Sequence, residues 1–511
     1  MTFHSILFKT SEGSMIDETI EPPVHFVDLN LDQIVNAITA KKQEYNLKPF
    51  FYTPLQDADT IRYRQKIAQD FDNELLLLET IKSFAQKMSE MRRYLIMIEK
   101  LYTQNHKHGW FLEAVNTYCD AVSCLADDLS AINLKSRGLI AFREFLSDYA
   151  HSDDFVSLCA ETRKLKMDLS SIQYCVHVKG NRVKVRKYES EIDYSKAVEQ
   201  TFEKFKQGSV KDYSIRLTSG GMNHIEADIL DLVTKLFPEI FNDLDLYCAN
   251  HRDFINTTIS TFDREIQFYV SYQEYISKLK PAGLMFCYPQ VSKHDKEIYA
   301  FESFDLALAS KFISKNTPIV CNDFYLQGNE RIIVVTGPNQ GGKTTFARAF
   351  GQFFYLTSLG CPVPGRDAKF FLFDKLFTHF EKEEDIKSLR GKLQDDLVRI
   401  YDILNHTTPD SIIIMNEIFT STTLKDAILL SKRILEKIIQ LDLICICVTF
   451  IDELSSLCEK TVSMVSTVEP DNPSIRTYKV VRKDADGLSY AISIAEKHRV
   501  TYSLLKERIK S

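Results

Sequence analysis

From residue 41 to about 170, large apolar residues recur at steps of three and four, glycine is scarce and prolines are few. That pattern predicts several long helices, most clearly over Tyr63–Ala150. At Ile172–Glu189 the period shortens to two: IQYCVHVKGNRVKVRKYE alternates apolar and polar residues around Gly180 and Asn181, which predicts a β-hairpin. Helical text then resumes. In Thr261–Lys280 the residues Phe262, Ile266, Tyr269, Tyr272, Ile276 and Leu279 step by 4, 3, 3, 4 and 3, which marks one face of a long helix. Lys280-Pro281-Ala282-Gly283 closes it. From about 284, short apolar strands (Ile332–Val335, Ile412–Met415, Leu443–Val448, Tyr478–Val481) alternate with helical stretches, as in a mostly parallel α/β sheet. The expected division is a short lead-in over 1–40, a helical domain over 41–170, a hairpin region over 171–212, returning helices over 213–283 and an α/β domain over 284–511.

Composition narrows the class. A chain of 511 residues exceeds what one hydrophobic core supports. With 44% apolar and 26% charged residues it is neither disordered nor fibrous. A formal charge of −7 excludes nucleic-acid binding by bulk charge, so any such site is a local patch. The 11 cysteines form no C-x-x-C pair, and Cys445 and Cys447 sit in an apolar strand, so a reducing compartment is expected rather than a disulfide framework or zinc site. The start, MTFHSILFKTSEG, lacks a signal-peptide pattern. The longest apolar run, Leu443–Ile451, is about half of a membrane span. The expectation is a cytoplasmic protein with no membrane partner.

Against that background one motif carries chemistry. The strand Ile332–Thr336 runs into Gly337-Pro338-Asn339-Gln340-Gly341-Gly342-Lys343-Thr344, and a helical stretch follows from Thr345. This is G-x-x-x-x-G-K-[ST] between strand and helix, the context a phosphate-binding loop requires. Glycines let backbone N–H groups turn inward around phosphates, and the helix N-terminus adds partial positive charge. Lys343 then reaches the β- and γ-phosphates, and the Thr344 hydroxyl holds Mg²⁺. A chance match in a glycine-bearing turn is the plain alternative, and the flanking strand and helix argue against it.

A phosphoryl-transfer site also needs an acid at the end of a second strand. Ser411-Ile-Ile-Ile-Met-Asn416-Glu417 supplies one, with Glu417 as the base that polarises water. The metal-side position is Asn416, whose amide accepts a hydrogen bond from a Mg²⁺-bound water but brings no charge, so weaker metal binding and slow hydrolysis are expected. A buried strand that merely ends in Asn416-Glu417 is the bland alternative. Separately, Tyr174–Lys187 carries Lys179, Arg182, Lys184, Arg186 and Lys187 and no carboxylate. Lys and Arg heads on a hairpin follow phosphates without reading bases, although a hairpin charged only for solubility would look the same.

These residues resemble a known family. Thr336-Gly-Pro-Asn-Gln-Gly-Gly-Lys-Thr-Thr345 is similar to the T-G-P-N-x-G-G-K-[ST]-[ST] loop of the MutS-family ATPases. Gly360-Cys-Pro-Val-Pro364 resembles that family's G-x-x-V-P stretch, Phe377-Thr378 its F-T-R strand end, and Asp385–Leu397 the segment leading to a family acid, here Asp396. Glu417–Thr423 stands in place of the E-I-G-R-G-T-S loop. Val448-Thr449 with Asp452-Glu453-Leu454 resembles the T-H-x-x-E-L switch, while Gly487–Ala491 and Val500–Arg508 resemble the dimerisation segment. Asp59–Gln65 resembles the start of the family's lever.

The resemblance implies an α/β P-loop ATPase domain of the ABC/MutS-like class, preceded by an all-α lever domain carrying a β-hairpin clamp, without the mismatch-reading and connector domains. It implies ATP and Mg²⁺ as ligands. Nucleotide would be held by Gly337, Pro338, Asn339, Gln340, Gly341, Gly342, Lys343, Thr344 and Thr345, and metal by Thr344 and Asn416. It further implies a homodimer acting on double-stranded or structured DNA, contacted through the hairpin cations, in DNA repair or recombination. The departures are Asn416, Phe450 in place of the switch His, and a Glu417–Thr423 loop without glycines or arginine. They favour, as the alternative, an ATP-gated nucleic-acid-binding protein with little hydrolysis, acting on structured RNA or ribosomes.

Overall fold

The structure is a computed structural model that describes residues 3–9, 17–180, 182–190, 222–315, 317–381, 391–485, 501–502 and 505–506. The chain splits into two compact units, a helical one (1–2, 75–133 and 141–263) and an α/β one (3–74, 134–140 and 264–511). Packing thus divides the chain differently from its text: residues 41–74 and 264–283, which read as helical arms, belong with the α/β unit. The remainder of the hairpin region, 191–212, lies outside the described residues. No described helix is long and apolar enough to cross a membrane.

In the helical unit, Leu75–Lys100 and Gln104–Ala131 are joined by three residues, short enough to make them antiparallel neighbours. Leu77, Ile81, Phe84, Met88 and Met91 on the first, and Leu112, Val115, Cys119, Val122, Leu125 and Leu129 on the second, are buried. Their steps of three and four give each helix one apolar stripe. Asp153–Ser170 follows, its first turn capped by Ser152. His224–Leu236 begins in a capping box of Asn223 and Glu226, and Pro238–Asn250 opens on a proline.

Tyr174–Lys179 and Arg182–Lys187 pair antiparallel in this unit. Their register places Lys179 opposite Arg182, His177 opposite Lys184 and Cys175 opposite Arg186. Residues directly opposite share a face, so these six form one side of the ribbon. Val176, Val178, Val183 and Val185, with Tyr174 and Lys187, form the other.

The α/β unit is built on six strands in the order Leu376–Phe380, Ile412–Asn416, Ile444–Val448, Ile332–Thr336, Thr461–Glu469, Asn472–Arg482. The first five are parallel and the last returns antiparallel. Every residue of the three central strands is buried, which is why they read as unbroken β-branched and apolar runs rather than alternating ones. A four-stranded sheet of Gln290–Ser292, Asp367–Phe371, Ile298–Ser303 and Asn322–Leu326 adjoins it in the chain.

The lead-in contributes core to this unit. Ile6, Leu7, Phe26, Leu29, Leu31 and Ile34 are 0% exposed, and Ser5 Oγ donates to the Glu265 carboxylate at 2.8 Å. Around Asp28 three elements meet: Arg348 Nε donates to the Asp28 carbonyl at 2.9 Å, Gln352 Nε2 to the Leu29 carbonyl at 2.9 Å, and Thr378 Oγ1 to the Asp28 carboxylate at 2.6 Å. Arg64 is buried in the same unit, donating to the carbonyls of Leu7 and Leu359 at 2.9 and 3.1 Å. The helix Lys343–Ser358 is thereby held at its middle and at its C-terminal end by chain that precedes residue 75.

Candidate functional site

The carboxyl ends of the central parallel strands converge on one cavity, the position at which open α/β sheets bind ligands. After Ile332–Thr336 the backbone turns through Gly337 (φ +110°), Gln340 (φ +59°) and Gly342 (φ +93°) into the helix Lys343–Ser358. Two glycines of the loop, Gly337 and Gly341, are enforced sterically. A β-carbon on Gly337 would sit 2.7 Å from the Ser466 carbonyl oxygen, and one on Gly341 would sit 2.1 Å from Ser466 Oγ. The strand Thr461–Glu469 therefore presses directly on the loop, and Ser466 Oγ donates to the Gly341 carbonyl at 2.7 Å.

Lys343 is 4% exposed. Its ammonium donates to the carbonyls of Gly337 and Pro338 at 2.8 and 3.2 Å and to Asn339 Oδ1 at 3.4 Å. Burial pushes its pKa down, and the nearby Glu417 carboxylate opposes that. The next residue, Thr344, donates from Oγ1 to Asn416 Oδ1 at 3.0 Å. Two positions 72 residues apart in sequence are thus in contact at the strand end.

Glu417 follows with φ +55°, a left-handed backbone that a residue with a β-carbon adopts only under constraint. Its N–H donates to the Val448 carbonyl at 2.9 Å, and its side chain helps to line the cavity. The cavity measures about 440 Å³ and is bounded by Gln340–Phe346, Glu417, Asn322, Phe312 and Tyr478. Gly337, Pro338 and Asn339 do not line the cavity; the Pro338 carbonyl accepts from Gly341 N–H at 3.3 Å and the Asn339 carbonyl from Arg476 Nε at 3.2 Å.

Tyr478 is a cavity residue that the sequence reading did not single out. It also has a left-handed backbone (φ +59°), is 52% exposed, and lies 3.7 Å from where a Gly342 β-carbon would stand. Asn322 Nδ2 holds its carbonyl at 3.2 Å. Only the return of the last strand brings it there, so no local pattern announces it. Phe450 is 49% exposed and is not among the residues lining the cavity. In the loop after Glu417, Ile418 and Phe419 are buried and Thr423 caps the helix Leu424–Leu441. Asp396 is buried beside His379, 3.4 Å from its Nε2. The segment 385–390 and Gly487–Ala491 lie outside the described residues, as do 500, 503–504 and 507–508 of the proposed dimerisation stretch.

The residues present fit a nucleoside triphosphate and Mg²⁺. The glycines leave a cradle that side chains would fill, the lysine is buried and among the described residues hydrogen-bonds to neutral oxygens, and a hydroxyl and an amide oxygen meet beside a carboxylate at its rim. Of the five hairpin cations, four (Lys179, Arg182, Lys184 and Arg186) share a face. Lys187 is on the opposite one, with its Nζ 5.0 Å from the centre of the Phe237 ring.

Comparison with known proteins finds two matching regions. Residues 333–510 match MutS domain V, and residues 56–282 match the MutS2 N-terminal domain. Among similar proteins, the DNA mismatch repair protein MutS of Thermosipho melanesiensis is 23% identical over 515 residues, covering 91% of this chain and 60% of its own length. That of Thermotoga maritima is 24% identical, with 91% and 61% covered. That of Orientia tsutsugamushi is 25% identical, with 96% and 57% covered. The chain therefore spans less than two thirds of the length of these relatives.

Proposed function

We propose that this chain, a member of the MutS family, hydrolyses ATP in the cavity at the strand ends and uses nucleotide binding to govern its grip on double-stranded or structured DNA, in repair or recombination. The observation that carries the reading is the cavity of about 440 Å³ bounded by Gly341, Gly342, Lys343, Thr344 and Glu417.

In this reading the triphosphate lies along Gly337–Thr345, and the Lys343 ammonium exchanges its loop carbonyls for β- and γ-phosphate oxygens. Glu417 accepts the proton of the attacking water, so that ATP and water yield ADP and phosphate. Thr344 and Asn416 hold Mg²⁺, which when bound neutralises charge on the phosphate oxygens. Tyr478 offers its ring to the base. The hairpin's four-cation face follows the DNA backbone, and a homodimer joins two such sites. Exposed Leu397, Tyr401, Leu424 and Leu429 on the α/β unit suit a partner surface. Free thiols at all 11 cysteines suit the cytoplasm.

The direct test is phosphate release measured alone and with linear, mismatched and four-way-junction DNA. Rates unmoved by every DNA would break the coupling. Clamp contact is tested separately by the double change Arg182→Glu and Lys184→Glu. Losing two phosphate contacts should flatten the slope of log affinity against log salt by roughly two, as read by fluorescence anisotropy on a duplex. An unchanged slope would assign the charges to solubility.

A second reading, an ATP-gated binder with little hydrolysis, acting on structured RNA or ribosomes, is favoured by Asn416 at the metal position and by exposed Phe450. It makes an opposite statement about one substitution. A carboxylate within reach of a divalent ion adds ~1–4 kcal/mol of attraction per charge at effective dielectrics of ~80 to 20. Asn416→Asp should therefore lower the Mg²⁺ concentration for half-maximal turnover by about tenfold and raise the rate. If turnover stays undetectable in both proteins while ATP binds, the gated binder is the better description.

A further inference from the structure

We infer that a second pocket, in the helical unit at the root of the hairpin, receives a single unstacked nucleobase of the nucleic acid that the hairpin follows; this rests on the nucleic-acid reading of the four-cation face.

The pocket measures about 370 Å³ and is lined by side chains from Gln104–Ala131, Asp153–Ser170, His224–Leu236 and Pro238–Asn250. That size is at the low end of the roughly 300–1,000 Å³ of small-ligand pockets, suited to one ring system rather than a peptide. Its place is specific. Tyr174, the first residue of the hairpin, forms part of its wall and is paired with Lys187 in the ribbon. Lys179 is five residues further along the same strand, roughly 17 Å at ~3.3 Å per residue. Tyr174 is on the opposite face of the ribbon from Arg186, Lys184 and Arg182, so a backbone held on those cations reaches the mouth by passing round the root of the hairpin, a distance of a few nucleotides.

The walls combine apolar surface from Leu169, Ile172, Met222, Leu230, Val233 and Leu244 with aromatic rings and a polar edge. Trp110, Tyr174 and Phe241 offer aromatic surface, and sequence-tolerant nucleic-acid sites join such surfaces to cationic tracks. A polar edge accompanies them. Trp110 Nε1 donates to His106 Nε2 at 2.9 Å. Indole nitrogen can only donate, so Nε2 is the acceptor and the imidazole proton sits on Nδ1. Burial lowers the His106 pKa, keeping that neutral form. Asn105 Nδ2 is engaged by Thr234 Oγ1 at 3.1 Å, which leaves its Oδ1 to accept. Glu113 adds a carboxylate whose Oε2 is held by Lys166 at 2.9 Å. A donor beside acceptors complements the mixed edge of a nucleobase. An anion would meet Glu113.

Trp110 is the sole tryptophan of the chain, so its emission reports on the pocket. The full-length protein is titrated with a duplex bearing one bulged nucleotide, the same duplex with an abasic bulge, and a fully paired duplex, each as DNA and as RNA, with occupancy followed by anisotropy. At equal occupancy the bulged base should quench Trp110 at least threefold more than the abasic control. Filling the pocket by Leu230→Trp in a Trp110→Phe background should remove the preference for the base over the abasic site while paired-duplex affinity holds. Equal quenching by base and abasic bulges at saturating occupancy would overturn the inference and leave the hairpin reading intact. Absence of binding by every nucleic acid would overturn both, and the Arg182→Glu, Lys184→Glu salt series would report that failure independently.

Discussion

Replacing Glu417 by Gln should cut phosphate release by roughly 10²–10³-fold while ATP affinity stays within about twofold, because a positioned general base contributes ~10²–10⁴-fold. The substitution keeps the size of the side chain, its backbone at φ +55° and the N–H bond to the Val448 carbonyl, and removes only the capacity to take a proton. It also removes the negative charge that opposes the fall in the Lys343 pKa, an effect that would act on binding. Single-turnover hydrolysis and equilibrium titration with labelled ATP separate the two. Equal rates in the two proteins would mean that the water is activated elsewhere, and Glu417 would then be a strand end in a strained conformation without a catalytic purpose.

Replacing Lys343 by Ala should weaken ATP binding by roughly 100-fold. A charge-assisted hydrogen bond contributes ~1.5–3 kcal/mol, and Lys343 would make more than one to the phosphates. The same change strips three loop oxygens of a donor, so the loop itself loosens, and a melting curve without nucleotide is the needed control. A ligand at 100 times its dissociation constant stabilises a fold by ~2.7 kcal/mol. The wild-type chain should therefore melt later with ATP and Mg²⁺, while the variant, then near its own dissociation constant, should gain only ~0.4 kcal/mol. A variant that retains the full ATP-dependent shift would remove the triphosphate from this cavity.

How much of this was legible depends on how local each constraint is. The glycine loop is written in eight consecutive residues, and its geometry at Gly337 and Gly342 follows from them. The meeting of Thr344 with Asn416 was legible at one remove, since a strand–loop–helix unit and a second apolar strand ending in acid leave few ways to close a parallel sheet. Nothing local points to Tyr478 or Ser466. Their positions come from the two C-terminal strands lying against the loop, a matter of register between distant segments. Residues 31–38 are a different case. Leu31, Ile34, Val35 and Ile38 have the spacing of a buried helix face, yet so short an element has no visible partner until Lys48–Tyr52 and Leu306–Phe312 are seen against it. The separation of Lys187 from the other four cations was also available from strict alternation across the hairpin.

The meeting of Asp28 with Arg348 and Thr378 has a consequence for the order of events during synthesis. The stretch that completes the α/β unit is made before the helix and strand it packs on, with the helical unit between them. At ~5–20 residues per second that interval is roughly fifteen to sixty seconds, during which Phe26 and Leu29 lack the helix Lys343–Ser358 that they pack on. The helical unit is free to fold in the meantime, whereas the nascent amino-terminal stretch is the part of the chain with most need of a chaperone.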